Sequence, residues 1–508
     1  VAFAETPLRW AGDGVSVVSV LVLVVLVGWG KAPAMSSREA GDDASNDGDG
    51  LSKVAGRLLG AAVILIVAKE LLVDDPGVLW RSSRWDGADV VSGATVPLTA
   101  NFGNQAMFLG VEALPQEVSS DSTPVLTLYW RALAPGGEDW QVGLTLVGPD
   151  GSRRPVGIRP ARWARTPGPV NEWPTDGYAR MDYLLDLVPG MAPGTYRLEL
   201  ALFDRATAEP ASVLDVGGNP IAPALVLGEV SIVPPKVPSS LHSLGIDAGA
   251  EMQQCGPVGL WSAGLNRSKA APGDVVVLTT VWEALATNED NMAAEAVLLS
   301  KTGDVVVSWA FAPAASWWPT SLWEPGQRWL GQHDLRLPGS LASGAHTLQL
   351  SLGDCDLGSW RIDVEAPERT WELPAGFTAA DEVLGDEIRL AGYQGLPGAV
   401  APGEIVDLVL GWEPLQEIAT AYRVFVHAVD DQGHLLAQND GEPTGWTRPT
   451  TGWAVGEIVI DPRSLQIPDT ASPGLVDIRV GVYAPDGQRL SAADGTDSIL
   501  LGRVEVGE

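Results

Sequence analysis

Cysteine is nearly absent from this chain of 508 residues, which contains only Cys255 and Cys355. Two cysteines are too few for a disulfide scaffold, and their separation does not match the spacing of metal ligands. Both fall within one copy of the repeat described below. A disulfide between them is expected if that copy lies outside the cytoplasm, and two buried thiols are the alternative.

Basic residues are also scarce. Lys and Arg total 32 against 64 Asp and Glu, which gives a formal net charge of -32. Proteins that bind nucleic acid need cationic side chains to neutralise phosphates, so this balance argues against that function. It argues equally against docking onto an anionic membrane surface through charge.

Motifs that carry catalysis or metal binding are missing as well. The sequence has no HExxH, GxSxG or phosphate-binding loop, although its carboxylates leave a glycosidase-like pair open. His427 and His434 flank a turn, and we expect both on adjacent strands facing solvent. We therefore predict no catalytic residue, no metal and no cofactor. A weak alternative is Ca²⁺ at carboxylates near turns, namely Asp430, Asp431, Asp440 and Glu442.

The chain is rich instead in Gly, Pro and Trp, with 58, 38 and 20 copies. Without a collagen period, this mixture together with many β-branched residues predicts short strands joined by tight turns. Alternation of apolar and polar residues is clear in YRVFVHAV (422–429), where alternate side chains would face the core and solvent. The composition therefore favours an all-β protein.

Two apolar runs lie near the N-terminus, before the part of the sequence predicted to be β-rich. They are VSVVSVLVLVVLVGW (15–29) and VAGRLLGAAVILIVAKELLV (54–73). Their length and composition predict a hairpin of two transmembrane helices, at about 13–30 and 54–73, within a first domain 1–74. A signal peptide is the alternative for the first run, although only Arg9 lies before it, and a buried soluble hairpin is another. Four basic residues lie in or beside the connecting segment, namely Lys31, Arg38, Lys53 and Arg57. The positive-inside rule therefore places this segment in the cytoplasm and the chain from about residue 75 outside.

The remaining sequence repeats one pattern three times. A Trp ends an alternating apolar strand in each copy, a second Trp follows 43, 41 and 41 residues later, and a Gly follows 21 residues after that. The first Trp is Trp130, Trp282 or Trp412; the second is Trp173, Trp323 or Trp453; the Gly is Gly194, Gly344 or Gly474. The spacing predicts a linker at 75–97 and three β-sandwiches at 98–236, 237–368 and 369–508.

The tryptophans divide into three groups by this register. We expect the first set in the core, and we interpret the second set as structural pins that cover one end of each sandwich. The segment before each pin varies in length and carries further indoles, Trp163, Trp317, Trp318 and Trp446. Variable loops on a fixed frame often hold binding sites, and indole faces stack on sugar rings. These four residues are therefore candidate glycan contacts, with loop packing as the alternative.

The stretch 423–490, which contains RVFVHAVDDQGHLLAQNDGEPTGWTRPTTGW, resembles the β-sandwich repeats at the C-terminal ends of bacterial polytopic membrane proteins. Many of those proteins are glycosyltransferases similar to the dolichyl-phosphate-mannose–protein mannosyltransferase family. The likeness covers roughly 54–508 and includes ANFGNQAMFLGVE (100–112). In that family the catalytic carboxylate lies in the first outer loop, whereas the first loop here is predicted to be cytoplasmic. The resemblance therefore implies the module and carries over no catalytic residue.

Together these observations predict three tandem antiparallel β-sandwiches, immunoglobulin-like or jelly-roll-like, behind a transmembrane hairpin. The expected function is non-catalytic binding of a glycan or a partner protein, or assembly at the cell surface. The protein would be anchored in the lipid bilayer of the plasma membrane and would form an oligomer or a larger assembly. The alternative is the accessory C-terminal region of a lipid-linked-sugar glycosyltransferase whose catalytic helices lie outside this chain.

Overall fold

The computed structural model describes residues 82–84, 91, 94–96, 98–133, 140–160, 175, 177–208 and 210–507. The predicted transmembrane helices at 13–30 and 54–73 lie outside these ranges. Within the described ranges, no helix has the length and apolar character needed to cross a bilayer.

The described chain is almost entirely β-structure and divides into two compact units. The first unit comprises residues up to Val118, Ser122–Leu187 and Tyr196–Val230. The second comprises Ser119–Asp121, Val188–Thr195 and Ser231–Glu508.

The strands of the first copy form one sheet. They are β1 (Ser82–Arg84), β2 (Ala100–Phe102), β3 (Ala106–Val111), β4 (Glu117–Ser119), β5 (Val125–Ala132), β6 (Trp140–Val147), β7 (Arg153–Pro160), β8 (Gly177–Asp186), β9 (Gly194–Asp204), β10 (Val213–Leu214), β11 (Pro220–Ala222) and β12 (Leu225–Val233). Their order is β11-β10-β2-β3-β5-β8-β7-β6-β9-β12-β4, with β1 also paired to β8. Strand β1 lies in the segment 75–97, so part of the predicted linker belongs to this sheet.

The second copy has two separate sheets. Its strands are β13 (Gln253–Cys255), β14 (Val258–Leu265), β15 (Lys269–Ala270), β16 (Val275–Ala284), β17 (Ala294–Leu299), β18 (Val305–Phe311), β19 (Arg328–Arg336), β20 (Gly344–Leu352) and β21 (Cys355–Val364). One sheet has the order β13-β14-β16-β19, and the other has the order β15-β21-β20-β17-β18.

The third copy repeats this topology strand for strand. Its strands are β22 (Thr378–Leu384), β23 (Ile388–Gln394), β24 (Ala399–Val400), β25 (Ile405–Pro414), β26 (Arg423–Val429), β27 (Leu435–Gly441), β28 (Val459–Gln466), β29 (Gly474–Tyr483) and β30 (Ile499–Val506). The two sheets are β22-β23-β25-β28 and β24-β30-β29-β26-β27. The second and third copies therefore share one topology, a β-sandwich of a four-stranded and a five-stranded sheet.

The first copy contains equivalents of both sheets, but here the two sheets are joined at one edge into a single sheet. Strand β7 pairs with β6 through Arg153–Val156 and with β8 through Gly157–Pro160. In the second copy the equivalent strand β18 pairs with β17 from Val305 to Phe311, with one bulge at Val306. The joined sheet of the first copy therefore results from one strand that changes partner.

Buried tryptophans occupy equivalent positions in all three cores. Trp130, Trp282 and Trp412 each have a relative exposure of 0%, as predicted. Trp130 packs against the rings of Phe102 and Phe108. The first halves of β16 and β25 alternate inward and outward side chains, so their apolar residues collect on the face between the sheets, whereas β5 is buried over most of its length. The spacing of these residues in sequence thus fixes where each core lies.

A disulfide joins Cys255 to Cys355 across the second sandwich. Cys255 ends β13 in the four-stranded sheet, and Cys355 begins β21 in the five-stranded sheet. Their Cα atoms are 6.0 Å apart and their sequence separation is 100. The bond therefore ties the two sheets of one sandwich together covalently.

Reducing this disulfide should lower the stability of the second sandwich. A bond that closes a loop of this length stabilises a fold by roughly 2–5 kcal/mol, mainly by restricting the unfolded chain. Calorimetry of Cys255→Ser/Cys355→Ser should therefore show one transition at lower temperature, with the others unchanged. An unchanged profile would contradict a stabilising role.

Candidate functional site

One connection in each of the second and third copies holds the candidate indoles. It runs from β18 to β19 in the second copy and from β27 to β28 in the third. In both copies it joins the outermost strand of the five-stranded sheet to the outermost strand of the four-stranded sheet. In both copies it contains a short Pro-Thr-x-x-Trp motif, at 319–323 and 449–453, folded as a 3-10 turn. This motif fixes the frame on which the rest of the connection is built.

The threonine of the motif is buried and bonded on both sides. The Thr450 hydroxyl donates to the carbonyl oxygen of Thr420 at 2.7 Å and accepts the backbone N–H of Tyr422 at 2.9 Å. The Thr320 hydroxyl does the same with Asp290 and Met292, both at 2.9 Å. Each hydroxyl thereby satisfies two backbone groups of the segment leading into the next strand.

The tryptophan of the motif closes the turn from the other side. The Nε1–H of Trp453 donates to the carbonyl oxygen of Arg448 at 3.0 Å, and that of Trp323 donates to the carbonyl oxygen of Trp318 at 3.1 Å. Their relative exposures are 1% and 2%. The interpretation of both residues as structural pins is confirmed. Trp173 lies outside the described residues.

The threonines were not singled out in the sequence, although a signal was present. The spacing from Thr to Trp is identical at 320–323 and 450–453, whereas the residues before the shared Pro differ. The first copy has Val170 at this position, which offers no hydroxyl. A Thr that lies at the same distance before a Trp in two copies is therefore the sequence signal for the hydrogen bond of this hydroxyl.

Of the four candidate glycan contacts, one lies outside the described residues and two pack against other groups of the protein. Trp163 is not among the described residues. The Nε1–H of Trp317 donates to the carbonyl oxygen of Pro193 at 2.9 Å, within the second unit. Trp318 is half-buried and packs edge-on against Trp329, with ring centroids 5.6 Å apart. For Trp317 and Trp318, loop packing describes the structure.

Trp446 is different, because 51% of it is exposed. It ends the turn Pro443–Trp446, in which Thr444, Gly445 and Trp446 have φ values of 52°, 60° and 68°. Three successive residues in the left-handed region are unfavourable for L-amino acids other than glycine. Such strain persists only where the surrounding structure imposes it, and it concentrates at functional sites.

A buried ion pair imposes this conformation. Arg463 Nε donates to Asp461 Oδ2 at 2.9 Å, and Arg463 also donates to the carbonyl oxygens of Gly441 and Glu442. The other oxygen of Asp461 accepts the backbone N–H of Thr444 at 2.7 Å. Burial raises the pKa of Asp461, and Arg463 opposes that shift. The carboxylate therefore holds the first left-handed residue while the guanidinium holds the backbone before it.

A second buried carboxylate anchors the chain just after Trp446. Glu457 has a relative exposure of 1% and accepts from Arg448 at 2.8 Å and from Arg369 at 2.6 Å. It also accepts the backbone N–H of Ala454 at 3.1 Å. The exposed indole thus lies between two fixed points of the backbone, which limits the conformations it has to give up on binding.

Arg423 contacts the indole and interacts with other polar groups. The guanidinium carbon of Arg423 lies 5.1 Å from the centroid of the Trp446 ring, within the range of a cation–π contact. Burial raises the pKa of Glu442, which Arg423 counteracts, and burial also raises the pKa of Tyr483. Asp440 accepts from His427 Nε2 at 3.2 Å on the same sheet. Trp446, Arg423 and Glu442 form the surface defined here as the Trp446 platform. It combines an aromatic ring with charged hydrogen-bonding groups.

The histidine prediction holds for one residue of the pair. The side chain of His434 is 70% exposed, whereas that of His427 is only 13% exposed because Phe425 and Asp440 pack against it. Asp430 accepts the backbone N–H groups of Gln432 and His434, which lowers its pKa. This carboxylate shapes a turn. Among the described residues, no group of three or more His, Cys, Asp or Glu side chains could hold a metal ion.

No protein-family model matches the sequence, and no curated protein matches it. The chain is similar to the C-terminal domain of wzt (TM-score 0.18, 12% identity, over 27% of this chain and 92% of that chain). It is also similar to an immunoglobulin-like protein from Pseudomonas aeruginosa (TM-score 0.15, 14% identity, over 23% and 100% of the chains). A third similar structure is trypsin-activated α2-macroglobulin from Escherichia coli, with TM-score 0.16 and 11% identity. The match covers 81% of this chain but only 30% of the macroglobulin chain. TM-scores this low carry no argument about function.

Replacing Thr450 by Val should lower the free energy of unfolding by roughly 1–3 kcal/mol, because two backbone groups lose their buried partner. Thr320→Val should have a similar effect in the second sandwich. Thr447→Val is the matched control, since the hydroxyl of this threonine bonds to Thr444 at an exposed position, where water can replace the lost hydrogen bonds. Equal stability of all three variants in denaturant titrations would show that the motif is not a stabilising element.

Proposed function

We propose that this protein is a non-catalytic glycan-binding protein and that the Trp446 platform is the binding surface on its third sandwich. One observation carries the proposal: a half-exposed indole is held in a strained turn by a buried ion pair. A merely structural Trp would gain more by burial, as the pins Trp323 and Trp453 do. The cost of the strain is consistent with a ring that must be presented to a ligand.

The chemistry of the platform suits a sugar ring. An indole face offers a flat apolar surface for the C–H groups of a pyranose, and the rigid turn keeps the entropy loss on binding small. The guanidinium of Arg423 lies over the indole ring and can donate to hydroxyl groups, and the carboxylate of Glu442, which interacts with Arg423, can accept from them. An aromatic surface rimmed by a few directed polar groups is the usual composition of such sites.

The disulfide supports a location outside the cytoplasm, because such bonds persist in oxidising compartments. We extend the proposal to a protein anchored in the plasma membrane by apolar segments at 13–30 and 54–73. The acidic sandwiches would then lie on the outer side, where charge repulsion favours solubility.

The second candidate is an accessory region of a lipid-linked-sugar glycosyltransferase, which the resemblance of residues 423–490 favours. Both candidates place a sugar at the modules and differ in where catalysis resides. The coding sequence upstream of Val1 distinguishes them. About ten further hydrophobic segments, each long enough to span a bilayer, would favour the glycosyltransferase.

Trp446→Ala should weaken glycan binding at least tenfold, because a rigid aromatic contact at the centre of a site is worth upwards of about 1.4 kcal/mol. The measurement is a glycan array on the wild-type protein, followed by calorimetric titration of the best ligand. Trp371→Ala is the matched control, because Trp371 is also exposed, at 58%, but no left-handed turn presents it.

Equal loss of affinity in both variants would point to a nonspecific contribution of surface indoles. Unchanged affinity in Trp446→Ala would remove the platform as the binding surface. Circular dichroism of each variant shows whether the sandwich remains folded.

A further inference from the structure

The linker between the second and third sandwiches, which both belong to the second compact unit, is held at each end. The backbone N–H of Ala366 donates to Ser343 Oγ on the second sandwich at 2.9 Å, and the Ser343 hydroxyl donates back to the carbonyl oxygen of Ala366 at 3.3 Å. Thr370 forms an antiparallel bridge with Ile458 on the third sandwich. Only residues 367–369 lie between these anchors, and a segment this short that begins with Pro is too stiff for a flexible linker.

Arg369, which lies in that short segment, bonds to both sandwiches. Its guanidinium donates to the carbonyl oxygen of Gly339 on the second sandwich at 2.5 Å and to the carboxylate of Glu457 on the third at 2.6 Å. The Arg369 side chain is 11% exposed and that of Glu457 is 1% exposed. The backbone N–H of Gly339 donates to Glu417 on the third sandwich at 3.3 Å. A buried charge that loses its partner is costly, so opening the joint would have to break these bonds together.

Two glycines let the backbones of the sandwiches meet at this joint. A Cβ at Gly452 of the third sandwich would lie 2.6 Å from the carbonyl oxygen of Pro272 on the second, and a Cβ at Gly339 would collide with the carbonyl oxygen of Trp453. Neither glycine has a φ in the left-handed region, so the backbone conformation at both positions is open to other residues. The close approach of the other sandwich is therefore what requires glycine here.

The third sandwich shows that the module itself does not need this glycine. The turn Pro338-Gly339 after β19 corresponds to Pro468-Asp469 after β28. The carboxylate of Asp469 lies against Gly403 of the same sandwich. The module thus folds with a charged side chain at a position where the second sandwich has glycine and contacts its neighbour.

We propose that the second and third sandwiches form one rigid pair, in which Arg369 and Gly339 fix the angle between them. The contact between domains of one chain is usually polar and permits relative motion. Here the backbones touch, and a buried ion pair closes the joint beside them. Two surfaces on such a pair can engage one extended ligand without the entropy cost of ordering a linker.

Distance measurements by double electron–electron resonance on the full chain test the proposal. The two native cysteines are joined in one disulfide, so spin labels can be attached at Ser308→Cys and Leu435→Cys, exposed positions on the second and third sandwiches. The wild-type joint should give a single narrow distance distribution. Its width should increase roughly twofold or more in Arg369→Ala and in Gly339→Asp, because relative motion is the default for domains without a fixed interface.

Two controls separate the joint from the sandwiches themselves. Labels at Ile405→Cys and Leu435→Cys lie on the third sandwich alone, and their distribution should be the same in every variant. Arg389→Ala removes an ion pair with Glu413 inside the third sandwich and should leave the distribution across the joint as in the wild type. A broad wild-type distribution, unchanged widths in both joint variants, or equal broadening of the control pair would each overturn the proposal.

Discussion

The hydrogen bonds of one buried threonine support the surface on which function is proposed. In the third sandwich, Thr450 ties the long connection between β27 and β28 to the segment leading into β26. Trp453 then closes the turn through its indole N–H. Because both ends of this turn are fixed, the residues before it can vary without disturbing the two sheets. The module therefore separates a constant frame from a variable surface.

The second and third copies use that freedom differently. In the second copy, Trp317 donates a hydrogen bond to Pro193 and Trp318 packs against Trp329, so both indoles have structural partners. In the third, Trp446 stays half-exposed, and its left-handed turn requires the buried pair of Asp461 and Arg463. A buried ion pair costs desolvation energy and is a poor device for stability alone. Its hydrogen bonds to the backbone of the turn that carries the exposed indole agree better with a role in fixing that turn.

Much of the fold was predictable because it rests on regular spacing. Alternation located the strands, and the recurrence of Trp130, Trp282 and Trp412 located the three cores. The sequence did not predict that Trp446 would be exposed while Trp317 and Trp318 pack, because this difference depends on Asp461, Arg463 and a left-handed backbone that no local pattern signals. The partner change of β7 also escaped prediction, since it depends on the distance between two sheet edges. The predicted membrane helices lie outside the described residues and stay a prediction.

Hydrogen–deuterium exchange tests the central claim most directly, which is that the threonine-to-tryptophan turn is part of the folded core. The backbone amides of Met292 and Tyr422, which donate to Thr320 and Thr450, lie just outside the strands. If the turn belongs to the core, these amides should be protected as strongly as those of the adjacent strands β17 and β26, because they open only when the sandwich unfolds. Exchange as fast as that of the exposed turn at 430–433 would contradict the account.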